Sequence, residues 1–84
     1  MIRVLLFARL ADLAKARETE FECTEEGISL NDLMKQVVAR FPALKASLAQ
    51  PQLLFLAMNQ EQAWLDEQVK DGDEVAIMPP FSGG

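Results

Sequence analysis

The C-terminal stretch VKDGDEVAIMPPFSGG, Val69 to Gly84, decides how the rest of the chain is read. Asp71-Gly72-Asp73 has turn chemistry, and the apolar run after it reads as a last strand. Glu74 sets the parity of that strand: Ala76 and Met78 share its outward face, and Val75 and Ile77 point inward. Pro79 and Pro80 cannot donate ladder hydrogen bonds and hold φ near the polyproline value, so the sheet must end there and the chain must leave it extended. Phe81 to Gly84 are then expected to project as a tail, reaching at most ~14 Å from the body. Gly83 and Gly84 lack side chains, so this backbone can enter a slot too narrow for other residues, and only two other glycines occur in the chain. Two readings follow. The terminal carboxylate is handed to a second enzyme, activated as an acyl-adenylate and attacked by a sulfur or nitrogen nucleophile, or the tail is only a frayed end.

Working back from the tail, "IRVLLF" (residues 2–7) reads as a strand with Ile2, Val4 and Leu6 inward and Arg3, Leu5 and Phe7 outward. "ARLADLAKAR" carries Leu10, Leu13 and Ala14 at helical spacing and predicts a short helix. "TEFECTEEG" alternates, with Thr19, Phe21 and Cys23 on one side, and predicts a half-buried strand in which Cys23 is a small core residue. "SLNDLMKQVVARFPAL" is the clearest helix. Ser29 caps it, Asp32 sits near its positive end, Leu30, Leu33, Met34, Val37, Val38 and Phe41 recur along one face, and Pro42 stops it. "KASLAQPQ" links to "LLFLAM", read as a fully apolar strand; "NQEQ" is a turn, and "QAWL" is the candidate return strand of a hairpin.

This order of elements predicts an α+β domain in which the long helix covers one face of a mixed sheet. If the first and last strands are neighbours, Leu5, Phe7, Ala76 and Met78 form an apolar patch on the uncovered face. Such a patch is either a docking site or the scatter of apolar residues found on any surface.

Composition excludes several classes of function. Eighty-four residues make one small domain, near the lower limit for a self-sufficient core, which argues against a deep catalytic cleft. Thirteen acidic residues against eight basic ones give a net charge of −5 with no basic stripe, so nucleic acid is not an expected partner and a basic patch on another protein is. The single cysteine and the absence of histidine leave no internal disulfide, no multi-ligand Cys/His metal site and no histidine-based nucleophile arrangement. The apolar stretch Val4 to Ala8 is cut by Arg9, too early for a signal-peptide core or a membrane span, and a cytoplasmic location is expected.

The opening "MIRVLLFARLADL", the "AMNQ" of residues 57–60, and "DGDEVA" followed by "PP", two intervening residues and "GG" carry a family resemblance. Over nearly its whole length the chain resembles the small, MoaD-type subunits of molybdopterin synthase, sulfur carriers of ubiquitin-like β-grasp fold. Family members often carry aromatics before the Pro-Pro pair, where this chain has Ile77 and Met78.

The resemblance implies a mixed sheet of four to five strands with one main helix on one face, a domain over residues 1–80 and an extended tail over 81–84. It further implies that a MoeB-type, E1-like enzyme adenylates the Gly84 carboxylate with ATP and that a sulfur donor converts it to a thiocarboxylate. The sulfur then passes, in a heterotetramer with the MoaE-type large subunit, to cyclic pyranopterin monophosphate in molybdenum cofactor biosynthesis. On this reading the chain is the sulfur-donating subunit of a sulfurtransferase, contributes no side-chain catalyst, and holds no metal or nucleotide of its own. Gly84 is the reacting residue, Phe81, Ser82 and Gly83 thread the tail, and Leu5, Phe7, Met78, Pro79 and Pro80 contact the partner. Alternatives within the same fold are a sulfur carrier for thiazole, tRNA thiolation or sulfur amino-acid synthesis, a protein modifier ending in an isopeptide bond, and an interaction module whose tail has no chemistry. Thiazole carriers are generally shorter and lack the segment around Arg40 to Gln52.

Overall fold

The computed structural model describes residues 1–80. Strand β1 (Ile2–Leu6) leads through a short helix α1 (Arg9–Ala14) into β2 (Glu18–Phe21), and a two-residue strand β3 (Ile28–Ser29) enters the main helix α2 (Leu30–Arg40). After 3-10 turns at Pro42–Leu44 and Pro51–Leu53 come β4 (Phe55–Met58), β5 (Glu61–Gln62), β6 (Gln68–Val69) and β7 (Glu74–Met78). Five strands form one mixed sheet in the order β2-β1-β7-β4-β5, and β3 pairs with β6 in a separate ladder. The first and last long strands lie parallel at the middle of the sheet, Val4 opposite Val75 and Leu6 opposite Ile77. The α+β β-grasp expectation holds.

Parity decides what this sheet buries. Ile2, Val4 and Leu6 of β1 and Val75 and Ile77 of β7 are almost wholly inaccessible, and they join Leu30, Leu33, Met34 and Val37 of α2 in one core. Burial of such aliphatic side chains is worth roughly 1.5–3 kcal/mol each, so the inward set supplies most of the drive to fold. Helix α2 starts where its cap demands: the Asp32 backbone N–H donates to Ser29 Oγ at 3.1 Å. It stops at Arg40, one residue before Phe41 and Pro42, because the residue before a proline is pushed out of the helical region.

Three sequence expectations need correction. The strand read over Thr19 to Cys23 ends at Phe21, and Cys23 sits half-buried in the following loop with Sγ 3.8 Å from the Val69 carbonyl. "LLFLAM" is a strand only from Phe55, because Pro51 opens a 3-10 turn that absorbs Leu53; it is not fully buried, since Phe55 is exposed, Leu56 buried and Ala57 and Met58 half-buried. The hairpin turn is just Asn59 and Gln60, both at positive φ (53° and 71°) as in primed turns, so the return strand is Glu61–Gln62 and not Gln62 to Leu65. The β3–β6 ladder was not anticipated.

Candidate functional site

The sheet face opposite α2 is organised in three rows running across the strands. At one end Arg3 lies between Glu20 and Glu74. Its guanidinium bonds the Glu74 carboxylate and lies 3.6 Å from that of Glu18, and these contacts, the Glu74 hydrogen bond foremost, raise its pKa above the ordinary arginine value. In the middle row Leu5 faces Ala76, and Ala76 faces Ala57. At the other end Met78 faces Phe55, and Phe7 stands level with Met78, its N–H donating to the Ile77 carbonyl at 3.3 Å. The face therefore grades from charged through small and aliphatic to large and apolar.

The large apolar row marks where the chain leaves the sheet. Pro79 follows Met78 directly, and Pro79 and Pro80 line a groove with Arg9, Leu10, Ser47 and Leu54. The structure brings together five of the residues expected to meet a partner: Leu5 and Met78 half-buried, Phe7 43% exposed, and Pro79 and Pro80 beside them. Phe81, Ser82, Gly83 and Gly84 lie outside the described residues.

Sequence reading missed Phe55. It is 48% exposed and completes the apolar row with Phe7 and Met78. "LLFLAM" contains no polar residue to fix which alternate side chains face out, so the signal was absent from the sequence. Among the described residues no three His, Cys, Asp or Glu side chains converge as metal ligands would, and no helix is long and apolar enough to cross a membrane.

This arrangement, an apolar sheet face beside the point where the chain leaves its last strand, has relatives. The model of the ThiS family matches residues 4–84. The chain belongs to the ThiS family. Within it, this chain is 41% identical over 85 residues to the molybdopterin synthase sulfur carrier subunit of Chlamydomonas reinhardtii, covering 99% of this chain and 98% of that protein. It is 34% identical over 86 residues to the molybdopterin synthase sulfur carrier subunit of Homo sapiens, covering 99% and 93%. Among solved structures it is similar to SAMP1, small archaeal modifier protein 1, from Haloferax volcanii: TM-score 0.85 at 30% identity, with 99% and 98% of the two chains covered.

Proposed function

We propose that this ThiS-family chain is the sulfur-carrier subunit of a molybdopterin synthase and that the Gly84 carboxylate is its reacting group. The observation that carries this reading is the full-length match to a sulfur carrier subunit, 41% identical across 99% of the chain. An E1-like enzyme joins the carboxylate to the AMP moiety of ATP, with pyrophosphate leaving. A sulfur donor attacks the acyl carbon, the C–O bond to AMP breaks and a C–S bond forms, leaving a thiocarboxylate. The large subunit then receives the tail, the thiocarboxylate sulfur forms a C–S bond to cyclic pyranopterin monophosphate, and water cleaves the acyl C–S bond, returning the Gly84 carboxylate.

In this scheme Phe81, Ser82 and Gly83 thread the partner's channel, and Leu5, Phe7, Met78, Pro79 and Pro80 hold the domain against its mouth. The chain supplies position and a leaving sulfur, and the partners supply ATP, basic side chains and the pterin site. A net charge of −5 suits a basic large subunit. The setting is the cytoplasm.

Intact-mass measurement after co-expression with the adenylating enzyme and a sulfur source tests this. Replacement of one oxygen by sulfur is the expected result; an unaltered mass counts against the proposal. The likeness to SAMP1 favours one second reading, a protein modifier joined through Gly84 to lysine side chains, which predicts higher-mass conjugates.

A further inference from the structure

Five large apolar side chains are exposed among the described residues, and three of them, Leu53 (54%), Phe55 (48%) and Trp64 (60%), line a single groove beside the β4–β5 hairpin. Clustering of this kind exceeds what scattered surface residues produce. We propose that this groove is a second docking arm, covered in the assembled synthase by a segment of the large subunit that carries apolar side chains flanked by lysine or arginine. The inference rests on the sulfur-carrier reading above and names the surface through which that partner is held.

Continuity is the first argument. Phe55 belongs both to the groove and to the row with Met78 and Phe7, so a protein seated over the tail exit meets the groove without crossing a polar gap. Pre-organisation is the second. The Trp64 backbone is held on both sides, its N–H donating to Glu67 Oε2 at 3.1 Å and its carbonyl accepting from the Glu67 N–H at 3.1 Å. A backbone held in this way spares the cost of ordering the loop on binding, and buried tryptophans are among the commonest anchors of interface affinity.

Charge selects the occupant. Residues 46–69 contain no lysine or arginine, whereas Asp66 stands in the groove wall and the Glu67 carboxylate bonds the backbone of Trp64, which lines it. A second copy of this chain would bring like charges together; a basic apolar segment would not. Persistent exposure of this much apolar surface fits a lasting subunit contact better than the passing encounter with an activating enzyme.

Trp64 is the single tryptophan of the chain, so fluorotryptophan incorporated into the full-length protein gives one fluorine resonance that reports on the groove alone. On titration with the large subunit this resonance should move to a bound position and lose its sensitivity to exchange of water for heavy water. Trp64→Ala should raise Kd for the large subunit about tenfold, a change of about 1.4 kcal/mol. Asp66→Lys should also raise it, while both variants are still converted to the thiocarboxylate at the wild-type rate. A complex that forms and transfers sulfur with the resonance unmoved overturns the groove proposal and leaves the sulfur-carrier reading standing. A shift that follows carrier concentration alone, or that only the adenylating enzyme produces, also overturns it. Failure of the wild-type carrier to bind the large subunit at all would remove the sulfur-carrier reading and the proposal with it.

Discussion

Ala8 holds φ 52° and ψ −128° at the start of α1, a conformation that glycine adopts freely and alanine does not. The turn has to bring the chain from the end of β1 into a helix whose Leu10 is buried in the core, and the bend is set by those two anchors. Ala8→Gly should therefore relieve more strain than it adds in unfolded-state entropy, stabilising the fold by about 1 kcal/mol. A raised urea midpoint with an unchanged slope is the expected outcome; a lowered midpoint would mean the turn is not strained. At the other end, the buried side chains among the described residues stop at Ile77. Deleting Gly84, or appending one residue to it, should abolish sulfur transfer and leave the melting temperature within error, and full transfer by the extended protein would refute a terminal reacting group.

At the scale of elements, Gly27 links the two small strands to the domain. It sits at φ +83°, and a Cβ there would lie 2.6 Å from the Val69 carbonyl oxygen, a backbone atom that cannot swing aside. Gly27→Ala should force β3 and β6 apart and cost about 2 kcal/mol, read as a lower denaturant midpoint together with faster amide exchange at Val69. This pair of two-residue strands was invisible in the sequence because so short a segment has no period to detect. By contrast β1, β7 and α2 were legible. Arg3 and Glu74 each fix the parity of a strand, and Ser29, Asp32 and Pro42 mark both ends of the helix. Where an apolar run held no such marker, as in Leu53 to Met58, its boundary and its outward residues could not be read. Phe55 was lost for that reason, and Trp64 was misassigned to a return strand that the tight Asn59-Gln60 turn places at Glu61–Gln62.

The whole molecule divides its labour by face. One side of the sheet is spent on α2 and the core, and the other grades toward the large apolar row at the tail exit. Phe7→Asp or Met78→Asp should weaken binding of the large subunit about tenfold or more while changing folding stability by no more than about 0.5 kcal/mol, since Phe7 and Met78 lie on the uncovered face. Unfolding of either variant would mean that these side chains support the core instead. The central claim is that sulfur is carried on the end of the polypeptide. The most direct measurement is fragmentation mass spectrometry of the sulfur-loaded protein. The account predicts that fragments containing Gly84 carry sulfur in exchange for oxygen and that fragments containing Cys23, the single cysteine, are unchanged. Added sulfur on Cys23, with Gly84 unmodified, would contradict it.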